Sequence, residues 1–281
     1  MKSHLPPRLH KSATPQLHDF LEHSAQSRPK QIALTCKGAH HSYESLERDA
    51  NALAHALVEK GVERGDRVVV FADNTAETVI SFWGVLKANA IVSIINTLTK
   101  ADKLAYYLND CRAKVLMTDM HLASVVAEGA KQSPHLAHVI VSGALETASL
   151  APLQSLEGWA AALERGMRHA SAPPPRRNLD IDLAAIIYTS GSTGDPKGVM
   201  LTHTNMLTAG RSISTYLQMK DDDVVLGVLP LAFDYGLYQM LMSFRVCARL
   251  VLERSFAFPA QVLKVMAQER VGFLAGCEQK Q

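Results

Sequence analysis

The sequence has few cysteines, little net charge and no residue spacing typical of a metal site, and each of these features excludes a class of protein. The 281 residues contain four cysteines, which form no CxxC pair: Cys36, Cys111, Cys247 and Cys277. So few and scattered cysteines exclude a disulfide framework, and we expect reduced thiols and a cytoplasmic protein. The net charge of +2 argues against a nucleic-acid binder, which usually shows a basic face. The twelve histidines include no HExxH spacing, so the sequence predicts no metal site.

Long apolar runs are also few. Residues 1–13 carry charge and prolines without an apolar core, and we expect a flexible tail rather than a signal peptide. Residues 224–244 are long and apolar enough to span a bilayer, but Pro230, Asp234 and Gly236 interrupt them. A central aspartate costs about 2.5–3.5 kcal/mol on insertion scales. The sequence therefore predicts a buried strand, a loop and a helix here, and no membrane span.

Short runs rich in branched residues alternate with helical patterns along most of the chain. Helical spacing is clearest in "SYESLERDANALAHALVEKG", which begins with a capping serine and ends at Gly61. The strand-like runs lie at residues 31–36, 67–72, 90–95, 114–118 and 138–142. This alternation predicts a layered α/β fold of mostly parallel sheets flanked by helices.

The alternation breaks at residues 166–180, which include three consecutive prolines. Such a run favours an extended, semi-rigid connection. We therefore predict a first α/β lobe over 14–165, a proline-rich connection over 166–180, and a second lobe that begins at 181 and runs to 281.

One loop, "YTSGSTGDPKGV", lies between two apolar runs and has the composition of an anion site. Its glycines let backbone N–H groups point inward, its hydroxyls add donors and its lysine adds a positive charge. It is not the nucleotide-binding pattern GxxxxGK[ST], because Pro196 precedes Lys197 and a strand-like run follows. A solvent-exposed hairpin loop rich in turn-forming residues is the alternative.

The whole string resembles the phosphate-binding signature of the AMP-forming adenylate ligases. This superfamily includes acyl-CoA synthetases, peptide-synthetase adenylation domains and luciferases. Residues 43–79 and 83–96 resemble further family blocks, although Asn89 and Ile94 stand where the family usually has Gly and Pro. Two further strings, "LTHTN" and "VLPLAFDYG", follow in the order in which the family's motifs occur, so the resemblance covers about residues 17–275.

The resemblance implies a two-step reaction. A carboxylate attacks the α-phosphate of ATP, in the presence of Mg²⁺, and the acyl group then passes to a thiol of coenzyme A or a carrier protein. The residues that it implies for holding the β- and γ-phosphates are Thr189, Ser190, Gly191, Ser192, Thr193, Gly194 and Lys197. The catalytic lysine and magnesium ligand of the family normally lie further along. The sequence therefore predicts no catalytic residue within this chain, and an N-terminal fragment whose second lobe is incomplete.

The motif "PLAFDYG" occupies the place where family members line the acid pocket, which assigns substrate contacts to Phe233, Asp234 and Tyr235. Amino-acid-activating members show the same Phe-Asp pair, whose Asp binds the substrate's ammonium group. They usually have Ser two places later, where this chain has Gly236. In the alternative, Asp234 caps a helix that begins near Tyr235. The segment "LPLAFDYGLYQ" also resembles the corresponding segment of acid ligases that accompany bacterial exosortase systems.

Three further alternatives stay open at the level of sequence. His203 in "LTHTN" is a candidate base, but a packed or capping role is equally compatible with its place between a strand and a helix. The chain as a whole is either a ligase or a non-catalytic nucleotide-binding remnant. It is alternatively an assembly partner, which self-associates or is completed by another chain through an exposed sheet edge.

Overall fold

The computed structural model describes residues 14–150, 153, 155–189 and 195–274. The predicted tail, 1–13, therefore lies outside the described residues. The strands are β1 Ile32–Cys36, β2 Ala39–Ser42, β3 Arg67–Phe71, β4 Ile91–Ile94, β5 Ala113–Asp119, β6 His138–Ser142, β7 Leu156–Gly158, β8 Leu183–Thr189, β9 Lys197–Thr202, β10 Val224–Gly227, β11 Arg249–Leu252 and β12 Phe273–Leu274. The helices are α1 Asp19–Ser27, α2 Tyr43–Glu59, α3 Ala76–Lys87, α4 Ala101–Asp110, α5 Ala123–Ala130, α6 Trp159–Met167, α7 His203–Tyr216, α8 Asp234–Arg245 and α9 Pro259–Glu269.

Local capping explains where several helices begin. The Ser42 hydroxyl accepts a hydrogen bond from the backbone N–H of Ser45 at the start of α2, as its sequence predicts. Thr75 caps α3 in the same way. Thr202 and Asn205 form a reciprocal capping box at the start of α7. These polar contacts fix the point at which each strand or loop turns into a helix.

The strands form two sheets. The larger has the order β7-β6-β5-β3-β4-β8-β9 and is parallel except for the β8–β9 hairpin. The smaller has the order β12-β10-β11-β1-β2 and is parallel except for the β1–β2 hairpin. The predicted α/β fold of mostly parallel sheets flanked by helices is confirmed.

Each sheet combines strands from both sides of the proline-rich connection. β8 and β9 follow residues 166–180 but join the larger sheet through β4, while β1 joins β11 in the smaller sheet. Hydrogen bonds within the sheets thus cross the position at which the chain was divided into lobes. The lobe boundaries stay a prediction about domains, and they do not coincide with the sheets.

Asn89 fastens the proline-rich connection to the larger sheet. Its backbone has a φ of 62°, a left-handed conformation that Asn tolerates better than most residues. Its side chain donates to the carbonyl of Pro175 at 3.0 Å and accepts from the backbone N–H groups of Arg177 and Asn178. This explains how Asn can stand in place of the Gly that the family resemblance predicts.

The main core cluster includes side chains from both sheets and from the helix α3. Every residue of α3 from Thr78 to Lys87 is buried. Trp83 in this helix stacks on Phe244 of α8, with ring centroids 5.5 Å apart, and Phe82 meets Trp83 edge-on. The two sheets are therefore packed through a shared apolar layer.

A buried ion cluster lies at the end of α3. The Lys87 ammonium is fully buried and lies 2.8 Å from both Glu22 and Glu47, while Arg176 pairs with Glu22 on its other side. Burial is the main cause that raises the pKa of Glu47, against the lowering effect of Lys87. Removing one charge from such a cluster leaves its partner buried without compensation.

Among the residues that the structure describes, no helix combines the length and apolar character that a membrane crossing requires. The apolar segment at 224–244 instead forms β10, a turn and α8, as predicted.

Candidate functional site

The loop singled out in the sequence opens at the carboxyl edge of the larger sheet. β8 runs parallel to β4, so its end at Thr189 lies at the same edge as Ile94. Ligands of open α/β sheets bind outside this edge. β9 returns antiparallel and pairs Lys197 directly with Thr189. The predicted strand–loop–strand arrangement is confirmed, whereas Ser190, Gly191, Ser192, Thr193 and Gly194 lie outside the described residues.

Thr189 and Lys197 present a hydroxyl and an ammonium group at the base of this loop. Both are exposed, and no described residue forms an ion pair with Lys197. Next to them, a Cβ at Gly198 would approach the Ile186 side chain to 2.8 Å, so the hairpin needs glycine there for close packing. The Thr189 hydroxyl donates a long hydrogen bond of 3.5 Å to the carbonyl of Lys197, and the Lys197 ammonium group offers a positive charge to an anion.

Helix α4 holds both ends of the loop in place. The Tyr188 hydroxyl donates to Asp110 at 2.5 Å, and the Tyr106 hydroxyl donates to the carbonyl of Pro196 at 3.0 Å. The rings of Tyr107 and Tyr188 have centroids 4.4 Å apart. Burial, followed by the bond to Asp110, raises the pKa of Tyr188 and keeps it a donor. Sequence reasoning missed these contacts, and its only signal was the Tyr-Tyr pair inside a helical pattern.

The second motif forms the start of α8. Phe233 precedes the helix, Asp234 is its first residue, and both side chains are exposed, as is Tyr235 at 65%. The capping alternative for Asp234 is wrong, because Phe233 occupies the N-cap position and no side-chain capping bond is formed. Asp234 has no hydrogen bond or ion pair with any residue that the structure describes, and its charge only complements the helix dipole.

Backbone contacts fix the position of this motif. A Cβ at Gly236 would lie 2.4 Å from the carbonyl oxygen of Pro230 and 2.7 Å from that of Leu229. Asn74, which follows β3, donates to the carbonyls of Leu229 and Glu253 and accepts from the backbone N–H of Leu231. The close approach explains why Gly stands where amino-acid activators usually have Ser. The role of Asn74 was not foreseen.

A cleft of about 420 Å³ lies between the end of β4, the first turns of α4 and the start of α8. It brings Phe233 together with Tyr188, the penultimate residue of β8. It does not include Asp234 or Tyr235. Its other lining residues are Ile94, Ile95, Asn96, Leu98, Thr99, Lys100, Asp102, Lys103, Tyr107 and Ala232.

Comparison with known proteins agrees with this geometry. Residues 21–277 match the family model described as AMP-binding enzyme. The chain belongs to this AMP-binding family. It is 32% identical to phosphinothricin tripeptide synthetase PhsC of Streptomyces viridochromogenes, over 94% of this chain and 22% of that protein. The chain therefore spans less than a quarter of that relative's length.

Solved structures share the fold of this AMP-binding chain. A putative long-chain-fatty-acid CoA ligase from Rhodopseudomonas palustris matches with a TM-score of 0.84 and 22% identity, over 95% of this chain and 64% of that one. The anthranilate CoA ligase AuaEII, in complex with anthranoyl-AMP, matches with a TM-score of 0.86 and 24% identity, over 94% and 50% respectively. At these identities the likeness establishes the fold.

His203 has the packed role in this member of the family. It is fully buried, and its Nδ1 accepts a hydrogen bond from the backbone N–H of Leu17 at 3.1 Å. Asn178 lies 3.4 Å from its Nε2. Burial lowers the pKa of His203 to about 4, so the ring is neutral near pH 7. It joins the N-terminal segment to α7 rather than facing the cleft.

Two groups of described side chains resemble cation ligands, but each is already engaged. Asp73 lies with Asp119 and His121 at the carboxyl edge of the larger sheet. Arg254 lies 2.8 Å from the Asp73 carboxylate and His121 lies 3.3 Å from it. The second group contains Glu22, which pairs with the buried cluster around Lys87. Neither group presents the free carboxylates that Mg²⁺ prefers.

Proposed function

We propose that this chain takes part in the ATP-dependent activation of a carboxylic acid as an acyl-adenylate, which then transfers its acyl group to a thiol. The observation that carries the proposal is the pairing of Thr189 with Lys197 at the carboxyl edge of the larger sheet, in a chain of the AMP-binding family. PhsC is a peptide synthetase and the two structural neighbours are CoA ligases. These names support a carrier-protein thiol or coenzyme A as the acceptor.

The described residues support the first step by positioning charge. The acid's oxygen forms a bond to the α-phosphorus of ATP while the bond from that phosphorus to the bridging oxygen breaks, which releases pyrophosphate. Lys197 and Thr189, with the predicted donors Ser190, Gly191, Ser192, Thr193 and Gly194, steady the leaving phosphates. Preorganised donors of this kind stabilise charge that develops in a transition state.

We assign the acid to the surface around Phe233. Phe233 supplies an aromatic wall of the cleft, and Asp234 and Tyr235 begin the adjoining helix turn. The Asp234 carboxylate is exposed and has no described partner, which leaves it free to pair with an ammonium group on the substrate. This supports an amine-bearing acid as the substrate class, which the capping alternative no longer opposes.

Magnesium, location and association complete the proposal. The described carboxylates do not form a free Mg²⁺ site, so no step of the proposal runs through a protein-bound metal ion.

Reduced cysteines support a cytoplasmic location. β9 is an edge strand with Val199 and Met200 exposed, which supports self-association or pairing with a complementing chain along this edge.

The experiment is ATP–pyrophosphate exchange by the purified chain, screened against fatty, aromatic and amino acids. The sequence predicts no catalytic residue in this chain, so we expect exchange with at least one acid only when a polypeptide that supplies the family's catalytic lysine is added. Lys197→Ala should reduce it about tenfold or more, since hydrogen bonds to charged groups contribute about 1.5–3 kcal/mol. Lys264→Ala is the matched control, because Lys264 is an exposed lysine on α9. Equal rates for the two variants would refute the role of Lys197.

Nucleotide binding without adenylation is a second candidate function. It is favoured by the described part of the site, in which Lys197 lies at the base of the loop, paired with Thr189, and offers a positive charge to phosphates. Calorimetry with ATP distinguishes the two. Binding that depends on Lys197, in a folded chain that exchanges no pyrophosphate with any acid, would support this second function and refute adenylation by the chain alone.

A further inference from the structure

Two arginines, here called the arginine pair, lie where helices α7 and α8 pack on each other. Arg211 is exposed in the middle of α7, and Arg245 is half-buried as the last residue of α8. Arg245 Nη1 donates a hydrogen bond to the Ser214 hydroxyl at 2.9 Å. Ser214 lies three positions after Arg211 on α7, so the two residues are neighbours on the helix surface. The contact therefore holds the Arg245 guanidinium group beside the part of α7 that carries Arg211.

The Ser214 hydroxyl fixes the orientation of this guanidinium group. Ser214 is buried, and its hydroxyl donates to the carbonyl of Gly210 at 2.5 Å and lies 3.2 Å from the carbonyl of Arg211. Because its proton points to the helix backbone, the hydroxyl acts as an acceptor toward Arg245. A guanidinium group has five N–H donors, so most of those of Arg245 are left for another partner.

Neither arginine pairs with a carboxylate in the part of the chain that the structure describes. Residues 203–220 contain no Asp or Glu, and Asp234 lies at the opposite end of α8. Asp221, which follows α7, is paired with Arg28 at 2.6 Å. Burial, followed by the positive charge of Arg211, lowers the pKa of Arg245. The arginine pair is therefore a concentration of positive charge that the described residues do not neutralise.

The helix dipole explains only one member of the arginine pair. A cation at the carboxyl end of a helix is favoured by the dipole, which accounts for Arg245. Arg211 lies away from both ends of α7, so the dipole gives no reason for a second cation beside the first. Two like charges repel each other, and an anion between them replaces that repulsion with two attractions. The arrangement thus favours a bound anion.

The arginine pair is separate from the loop and from the cleft. Phe233 of the cleft precedes α8, whereas Arg245 ends it. This helix has 12 residues, so its two ends lie about 16 Å apart at 1.5 Å of rise per residue. The Debye length at physiological ionic strength is about 8 Å, which screens exposed charges at this separation from each other. An anion at the arginine pair and phosphates at the loop are therefore held by independent charges.

We propose that Arg211 and Arg245 form an anion site on the α7–α8 surface, which binds the phosphate group of a phosphomonoester. The site goes beyond the proposed function and does not depend on it. A phosphate group fits better than a carboxylate, because each guanidinium group can donate two parallel hydrogen bonds, and the phosphate offers three acceptor oxygens and up to two negative charges. Two sources share this chemistry: a soluble phosphate ester, and the headgroup of a phosphomonoester lipid.

The test compares glycerol 3-phosphate with phosphatidic acid, which carries the same headgroup. Calorimetry measures binding of the soluble ester, and co-sedimentation measures binding to phosphatidylcholine vesicles that contain phosphatidic acid. We expect the variant Arg211→Gln/Arg245→Gln to bind about tenfold or more weakly, because hydrogen bonds to a charged group are lost. A loss with glycerol 3-phosphate identifies a soluble ester as the source, since the headgroup then suffices. A loss confined to the vesicles identifies the lipid.

The matched control is Arg177→Gln/Arg270→Gln. It removes the same charge from two exposed arginines that also have no ion pair among the described residues. Arg211→Lys/Arg245→Lys keeps both charges without the planar fork and should bind more weakly than the unmodified chain. This variant keeps the site testable if the Gln variant does not fold, which urea denaturation reveals.

Four results would overturn the site. They are unchanged affinity in both arginine-pair variants, an equal loss in the matched control, no binding of either probe to the unmodified chain, and a loss of binding in Lys197→Ala in place of the arginine-pair variants. The last result would mean that the phosphate group binds at the loop. Pyrophosphate exchange is not measured in this experiment, so a negative outcome leaves the proposed function untouched.

Discussion

Gly236 tests whether backbone packing fixes the start of α8. In Gly236→Ala the new methyl group meets the carbonyl oxygens of Pro230 and Leu229 at 2.4 and 2.7 Å, where ordinary contacts lie at 3.4–4 Å. The neighbours are backbone atoms, so they cannot move aside by a change of rotamer. Either the helix or the turn at 229–230 must shift by about 1 Å, a figure set by ordinary close packing.

The expected change in stability has two parts of opposite sign. Overpacking typically costs about 1–3 kcal/mol, and we take the upper end because both contacts are with backbone. Alanine is favoured over glycine within a helix by about 1 kcal/mol. The net effect is therefore a loss of about 2 kcal/mol in the free energy of unfolding. Gly236→Ser, which introduces the residue of the amino-acid activators, should lose somewhat more, because its Cβ meets the same oxygens and serine is a poorer helix former than alanine.

Urea denaturation measures this effect as a lower midpoint with an unchanged slope. Gly272→Ala is the matched control, because a Cβ there meets nothing within 4 Å. We expect the control to change stability by less than about 1 kcal/mol. If Gly236→Ala proves as stable as the unmodified chain or more so, helix propensity outweighs the contact, and the account of this turn is refuted.

Three further predictions concern the buried polar groups. The pKa of His203 is about 4 in the folded chain and its ordinary value is 6.5, so the unfolded chain binds the proton first as the pH falls. The free energy of unfolding should therefore decrease by about 3 kcal/mol as the pH drops through this window. When the free energy of unfolding is measured against pH, His203→Asn should show a flatter profile. Lys87→Met should lower the free energy of unfolding by about 3–5 kcal/mol in urea denaturation, because Glu47 is left buried without its partner. The double variant Lys87→Met/Glu47→Leu should recover part of this loss. An equal loss in both variants would show that the unpaired charge is not the cause. Asn89→Gly is compatible with the left-handed backbone conformation at this position but removes three side-chain hydrogen bonds, so we expect faster proteolysis within residues 166–180. An unchanged cleavage rate would show that other contacts hold this segment.

The elements could be predicted from sequence because their signals are local. β6 was predicted with its observed bounds, and β1, β3 and β4 differ by one residue at each affected end. Strand order could not be predicted in the same way. β1 pairs with β11, and β8 pairs with β4 across the proline-rich connection, so the pairing depends on contacts between distant parts of the chain. The predicted boundary between lobes followed composition, which carries no information about pairing.

The loop was predicted for a similar local reason, while its supports were not. Two apolar runs around a glycine-rich string already indicate a hairpin, and the structure pairs Thr189 with Lys197. The hydrogen bond from Tyr106 to Pro196 joins residues 90 positions apart and depends on how α4 packs. Lys100 and Lys103 carried no motif, and only the fold brings them to the cleft.

Phe233 lies between the cleft and the exposed carboxylate of Asp234, two parts of the site whose proximity could not be predicted from the sequence. Its ring lines the cleft with Lys100 and Lys103, while the next residue, Asp234, presents a carboxylate to solvent. Opposite charges thus flank one aromatic side chain, and they favour ligand groups of opposite sign. An amine-bearing acid carries an ammonium group that can pair with Asp234, whereas a fatty acid carries only its carboxylate. For this reason the class of acid that supports pyrophosphate exchange also bears on the assignment of Asp234. Exchange restricted to amino acids, and lost selectively in Asp234→Ala, would agree with it; equal loss with fatty acids would show that the aspartate serves the helix alone.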